Sequence, residues 1–550
     1  MKQLSKPWSY PIVMERSRHF IRWLFDSRDG ASSCLIARWL LLRALAAIYF
    51  SAFFSLLFQI KGLLGPQGIL PAQQYLAEVA HSLGAARYWF APSIFWLSAN
   101  SHMLMAVTWI GLLASIFAFL NLWPRLAFFI CFVCFLSFAA AASDFSGYQS
   151  DGMLLEAGFL ALFFAPPGGL PGWAADHPPP RASLWLLQWE WFRIYFESGL
   201  VKLLSGDPQW RNLIAMDEYY QNSPLPTWIG WYVEHFPHWF HKATTVSTLL
   251  MELVVVIMLF FPRRVRLICF LIVTPWEIGV ILTGNYAFLN YLVLSLGLLL
   301  LDDNTLRRFV PARFSPPAPS MYAVVAPYAR PGPEESERGA GILPHLSAIR
   351  VGITTVLLLW IGYATTAELI SMPLRRMILP ATPVTALEPF RIANQYGLFA
   401  VMTRGRYEIE FQGSNDTRNW IPYPFQYKPQ AVNEPPGIYA PYQPRFDWNL
   451  WFASLGDWRH NQIVPLTEEH LLENDVDVLS LFRSNPFQQS PPRYVRAVLW
   501  QYWFTSIEEK RRSGNWWRRQ LLGLYAPVIT RTPDGEYRSV EMPAELPPHD

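Results

Sequence analysis

Glu190, Arg193, Glu197 and Lys202 interrupt the segment WEWFRIYFESGLVKLLSGDPQW (189–210), which is otherwise aromatic and apolar over about the length of a membrane span. Ionisable side chains at that depth are costly, so they are expected to be paired or to serve a function. Spacings of three and four residues put Glu190, Arg193 and Glu197 on one face of a helix, with Arg193 placed to sit between two carboxylates. Such a triad can pin neighbouring helices together or organise a pocket. Lys202 lies about 120° around the same helix from Glu190, just before the SGDP break. It can snorkel to the interface, or a desolvated lysine there can act as base or nucleophile, a role closed to the permanently charged Arg. The chain holds 7 Lys against 37 Arg, which makes a lysine in this position notable. Arg43, Glu156, Glu252 and Glu277 also fall in apolar runs and could pair with each other or line a polar cavity.

Other motifs carry less chemistry. In HFPHWFH, His235, His238 and His241 are three apart, but a helix would spread them over about 120° and Pro237 interrupts it, whereas zinc needs converging ligands. An amphipathic interfacial segment is expected there instead, and no metal or cofactor. Cys131 and Cys134 form CFVC inside continuous apolar sequence and read as membrane-buried thiols. There is no P-loop, nucleophile elbow, HExxH or dinucleotide fingerprint, so a lipase or nucleotide-binding identity is unsupported. A net charge of +3 gives no reason to invoke nucleic acid.

The elements that must position these residues are membrane helices. Hydrophobic residues make up 52% of the chain and aromatics 16%, which suits a polytopic α-helical membrane protein in contact with the bilayer. About nine spans are expected, near 36–60, 103–121, 125–142, 152–166, 184–204, 244–261, 266–283, 287–301 and 351–370. The first lies behind a basic tail and stays as an anchor, not as a cleaved signal. Arg125, Arg181, Arg263, Arg264, Arg266, Arg307, Arg308 and Arg313 then share a side with the N-terminal tail, and the positive-inside rule makes that side cytoplasmic.

The expected organisation runs from a cytoplasmic tail (1–34) through a helical bundle (35–304) with exterior loops 62–102 and 205–243. A Pro- and Gly-rich cytoplasmic linker (305–349), a last span (350–371), an extracytoplasmic β-rich domain (372–530) and a polar tail (531–550) follow. In that domain RYEIEFQ alternates at period two, as a half-buried strand does, and WIPYPFQY would pair with it as a hairpin. PRYVRAVLWQYWFTS reads as a long strand, while Trp448, Trp451 and Phe452 sit at helical spacing.

The stretch FRIYFESGLVKLLSGDPQWRNLIAMDEYYQNSPLPTWIGWYVEHFPHWFHK resembles the signature block of the lipase maturation factor family. GLLGPQGILPA (62–72), LTGNYAFLNYL (282–292), PYQPRFDWNLWFASL (441–455), NPFQQSPPRYVR and GNWWRR support it, and together the blocks span about residues 35–525. The resemblance marks Gly206, Asp207, Trp210, Arg211, Asn285 and Asn290 as family-motif residues. It implies a membrane protein that helps exported or secreted lipases fold and assemble, with its polar tail on the exterior side. Eukaryotic members sit in the endoplasmic reticulum with that tail lumenal, whereas the Arg skew and the cysteine-free tail suggest a bacterial cytoplasmic membrane with the tail periplasmic. Arg445, Asp447, Trp448, Trp451, Trp516 and Trp517 are then expected either to anchor an exported lipase-like client, since interface hot spots favour Trp and Arg, or to form ordinary core of the C-terminal domain. A fainter resemblance, over YFESGLVKLLSGDPQW alone, is to the membrane domain of vitamin K-dependent gamma-carboxylase. It implies an alternative in which Lys202 is a catalytic base on a lipid-soluble or quinone-like substrate and Arg193, Glu190 and Glu197 organise the pocket.

Overall fold

The computed structural model describes residues 19–27, 30–311, 315–316 and 342–544. Most of the N-terminal tail and of the expected linker, and the last residues of the polar tail, lie outside the described residues.

Helices occur at all nine positions where apolar runs suggested them. They are α1 (Leu35–Leu57), α2 (Ser101–Phe119), α3 (Pro124–Ala139), α4 (Gln149–Phe164), α5 (Arg181–Leu204), α6 (His238–Leu253), α7 (Arg263–Thr283), α8 (Leu289–Gly297) and α9 (Ile342–Leu374). Five segments are long and apolar enough to cross a membrane: Ser32–Leu57, Ser101–Phe119, His238–Phe260, Arg263–Thr283 and Ile349–Leu374. Pro124–Ala139 and Leu289–Leu300 are apolar but shorter. Large apolar side chains stand exposed along α2, α3, α7 and α9, including Phe117, Phe129, Leu271 and Val356, as expected of surfaces that meet lipid.

Local chemistry sets the helix ends. Asn100 caps α2 by accepting from Met103 N at 2.8 Å, and Pro124 opens α3, where a missing N–H costs nothing. α5 starts after a run of prolines and stops at Gly206, whose φ of +81° favours glycine. α1 and α4 pack closely at Gly158, where a Cβ would meet the Tyr49 hydroxyl at 1.9 Å. That hydroxyl donates to Leu154 O at 3.0 Å.

The C-terminal part is an antiparallel sheet with flanking helices α10 (Arg445–Ala453), α11 (Ile463–Glu473) and α12 (Ile507–Ser513). Its strands are β1 (Arg406–Ser414), β2 (Ile421–Pro422), β3 (Tyr494–Phe504), β4 (Trp517–Leu524), β5 (Val528–Arg531) and β6 (Tyr537–Glu541). The order is β2-β1-β3-β5-β6, with β4 also pairing β3. The long strand and the Trp448–Phe452 helix are where the pattern put them. The hairpin partner of β1 is shorter than WIPYPFQY suggested, because Pro422 and Pro424 remove ladder donors.

β1 is buried on both faces, which corrects the half-buried strand that its alternation implied. The polar face is covered by the bundle's loop at Arg406 and by Lys428, Gln430 and Arg519 of the C-terminal part beyond it. Arg406 donates to Gln221 O at 2.9 Å and Pro224 O at 3.2 Å, while Glu408 pairs with Arg406 and with Lys428 at 2.7 Å. Alternation reports which side chains are polar, and here the polar ones find buried partners instead of water.

Candidate functional site

Beyond α9, after the short turns Thr382–Thr385 and Glu388–Phe390, the chain runs along the bundle as an irregular strap, Asn394–Thr403, laid against α4 and α5. Irregular backbone beside membrane helices needs protein partners for its N–H and C=O groups, and the charged side chains of α5 supply them. Arg193 donates to Asn394 O and pairs with Glu156 of α4. The other oxygen of Glu156 accepts from Asn394 N at 3.1 Å and from the Tyr396 hydroxyl at 2.8 Å. Glu197 accepts from Tyr396 N at 2.6 Å, and Ser198 Oγ from Leu398 N at 3.1 Å. Lys202 Nζ donates to Leu398 O at 2.9 Å, to Glu252 of α6 at 2.8 Å and to Ser198 O at 3.3 Å.

The face shared by Glu190, Arg193 and Glu197 therefore exists, but the partnership differs from the one the spacing suggested. Arg193 makes its ion pair with Glu156 on the neighbouring helix, and Glu190 stays buried with no hydrogen-bond partner for either oxygen. Helical spacing fixes a shared azimuth; the partner is chosen by what packs across from it.

The motif residues continue the latch. Asp207 caps the next turn by accepting from Gln209 N at 3.0 Å, and its other oxygen accepts from Met402 N at 2.8 Å. Trp210 donates to Phe399 O at 3.0 Å. Asn285 accepts from Tyr439 N at 2.7 Å and Ala440 N at 3.0 Å, and donates to Gly437 O at 2.9 Å. Gly206 supplies the turn and Asn290 donates to Glu277 at 2.6 Å, while Arg211 is exposed.

A second joint lies at Arg445. It is fully buried, donates to both oxygens of Asp151 on α4 at 2.7 and 2.8 Å, and its own N–H donates to Gln59 Oε1 at 2.8 Å. Asp447 accepts from the N–H groups of Tyr427 and Lys428; burial pushes its carboxyl up to about 6, with the Lys428 N–H and charge holding it back. Trp448 and Trp451 are buried, and Trp448 packs on Tyr148. Trp517 is 1% exposed and donates to Glu434 O at 3.2 Å. Of the six residues expected to meet a client, only Trp516 is partly open; it meets Trp231 edge to face beneath the Lys510 ammonium.

The three histidines do not converge. His235 meets Trp231 O and Thr505 O, His238 meets Asp217, and His241 meets Phe236 O. Among the described residues no group of three His, Cys, Asp or Glu side chains is placed to hold a metal ion.

On the other side of α5 lies a cavity of about 340 Å³, bounded by α6, α7 and α8 and covered by Trp210, Phe399 and neighbouring loop residues. Lys202 and Glu252 stand in its wall, as do Tyr195, Glu277 and Asn290, joined by a 2.5 Å contact from Tyr195 to Glu277. Missed from sequence were Asn394, Tyr396, Gln59 and Asp151. Asp151 alone carried a signal, a carboxylate at the start of an apolar run.

Fold and site together define an integral membrane protein in which a helical bundle is latched to a sheet domain through buried charge. The chain belongs to the lipase maturation factor family. Residues 36–308 match the lipase maturation factor transmembrane domain, and residues 392–527 its C-terminal domain. The chain is 32% identical to lipase maturation factor 1 of Bos taurus, covering 92% of this chain and 91% of the relative. It is 31% identical to lipase maturation factor 1 of Homo sapiens (90% and 88%) and 30% identical to lipase maturation factor 2 of Rattus norvegicus (91% and 84%). No solved structure matches.

Proposed function

We propose that this protein assists the folding, assembly or maturation of an exported lipase, acting as a membrane-anchored scaffold that presents its sheet domain to the client. The observation that carries this reading is similarity along almost the whole chain, bundle and sheet domain together, to proteins named lipase maturation factors.

The nine helices are proposed to be nine spans. Contacts at alternate helix ends support this: Arg263 pairs with Asp302 at 2.6 Å at one end of the bundle, and the sheet domain joins the other through Gln59, Asp151, Asp207 and Asn285. The Arg-rich end is inferred to be cytoplasmic and the sheet domain extracytoplasmic, in a bacterial cytoplasmic membrane. Client contact is assigned to the open surface around Trp516.

A membrane enzyme would need a cavity reaching Lys202, and one is present. Yet its Nζ is surrounded by three acceptors, Ser198 O, Glu252 and Leu398 O, an arrangement that favours the ammonium over a free base. The family matches lend the carboxylase-like alternative no support.

The test pairs the chain with an exported lipase of its own genome. Cells lacking the chain should export lipase protein of low specific activity, and the wild-type chain and Lys202→Arg should both restore it. Unchanged lipase activity in the deletion would sink the maturation role. Loss of rescue by Lys202→Arg at normal membrane abundance would return the weight to an enzyme.

A further inference from the structure

The cavity beside α5 is built unlike the latch on its other side. α6 and α7 are joined near residues 255–262, but α6 packs chiefly on α5 and α7 on α8, and the cavity lies in the cleft between them. Phe240 and Thr244 of α6 form one rim, and Gly279, Val280 and Thr283 of α7 the other. Gly279 is solvent-exposed in the structure, and a Cβ added to it would meet nothing within 4 Å. The adjacent exposed side chains are apolar: Trp239, Ile278 and Leu282. An entrance framed in this way, at the first turn of α6 and the last turn of α7, opens at the interfacial edge of a bilayer, where an amphipathic lipid carries its head.

The interior is mostly apolar, with a polar floor whose fully buried unpartnered atoms are all of one kind. Glu277 accepts from Tyr195 and Asn290, and the Lys202 ammonium has three acceptors. Two buried atoms of the wall have no hydrogen-bond partner, Glu252 Oε2 and Asn290 Oδ1, and both are acceptors. Buried acceptors without donors are costly, so a ligand that fits must bring hydrogen-bond donors. The charge of Glu252 is already matched by Lys202 at 2.8 Å, so a cationic head would be set against the lysine. A carboxylate or phosphate head would bring more acceptors to a floor that already carries Glu252 and Glu277.

We propose that this cavity binds a neutral, hydroxyl-headed lipid entering from the bilayer between α6 and α7, its chain on the apolar wall and its hydroxyls donating to Glu252 and Asn290. This site is independent of the lipase-maturation reading. A cavity of this size falls within the range of ordinary small-ligand sites.

The experiment uses the full-length protein in nanodiscs and a monoacylglycerol carrying a photoreactive group in its chain, with labelled peptides mapped by mass spectrometry. Labelling should be saturable, fall on the cavity-facing stretches of α5, α6 and α7, and be displaced by unlabelled monoolein far better than by oleate or oleylamine. Gly279→Leu should cut labelling by about tenfold or more, while Gly279→Ala should retain it; both replacements favour the helix, so folding is preserved. Equal labelling of the Leu variant and the wild type would overturn the entrance, and labels confined to the outer surface would overturn the site. Stronger displacement by oleate or oleylamine would overturn the neutral-head assignment.

Discussion

The two sides of α5 use the same kinds of residue to opposite ends. Facing the strap, Arg193 and Glu197, with Glu156 from α4, meet backbone groups that would otherwise be unsatisfied beside the membrane helices, and the side is closed. Facing α6 and α7, Lys202 is satisfied but Glu252 Oε2 is left open to a cavity. An ionisable residue in a largely apolar helix therefore does not announce chemistry by its type alone. What distinguishes the two sides is how the returning strap meets them: it fills the side of Arg193 and Glu197, whereas Leu398, Phe399 and Met402 only wall the cavity beside Lys202.

If the closed joints carry the architecture, breaking one should be the most damaging change. Asp151→Ala leaves Arg445 buried without its carboxylate, which should cost about 3–5 kcal/mol. The expected readout is loss of the monodisperse full-length species in detergent. Asp151→Ala combined with Arg445→Met removes both charges and should recover most of that loss. A single variant as stable as wild type would mean that the joint is not holding the two parts together. Arg193→Ala should act in the same direction with a smaller loss, since it removes the cation beside Glu156 but leaves the hydrogen bonds from Asn394 and Tyr396.

How much of this was legible beforehand differs between the two parts of the site. Helices appear where apolar length placed them, and β1, β3 and α10 follow from period-two and helical spacing, because both signals are local. Lys202, Arg193 and Glu197 stood out because charge inside an apolar run is conspicuous. Their partners did not: Asn394 and Tyr396 lie about 200 residues away along the chain in unremarkable polar sequence, and they act largely through backbone atoms that no residue type reveals. For the same reason Arg445 and Trp448 looked like surface anchors. Nothing local shows that RFDWNLWF is pressed against α4.

The open side should be more forgiving. Lys202→Met orphans Glu252, but that carboxylate borders a cavity, so about 2–3 kcal/mol is expected, less than for Asp151→Ala. Adding Glu252→Leu should return most of it. The comparison is a double-mutant cycle read by thermal melting of the detergent-solubilised chain. If Lys202→Met proves as disruptive as Asp151→Ala, the contrast between a closed side and an open one fails.

The smallest effect expected lies away from both, in the sheet domain, and tests whether buried charge is always part of a joint. Glu468 is fully buried on α11 against β3, and desolvation, reinforced by Glu469, pushes its carboxyl well above the ordinary range, while the backbone of Ala497 offsets part of it. The folded chain thus keeps a proton that the unfolded chain releases near pH 4.5. With more protons bound in the folded state, stability from this group is full below about pH 4.5 and declines as pH rises toward the folded value. Glu468→Gln keeps the shape and removes the titration, so its melting temperature should be flatter with pH. At neutral pH it should exceed wild type by about 2–4 °C, corresponding to about 1 kcal/mol. A Gln variant that melts lower than wild type at neutral pH would mean that the carboxylate has a partner that compensates its burial. Glu468 would then belong with Glu156 and Asp151 among the charges that hold this molecule together.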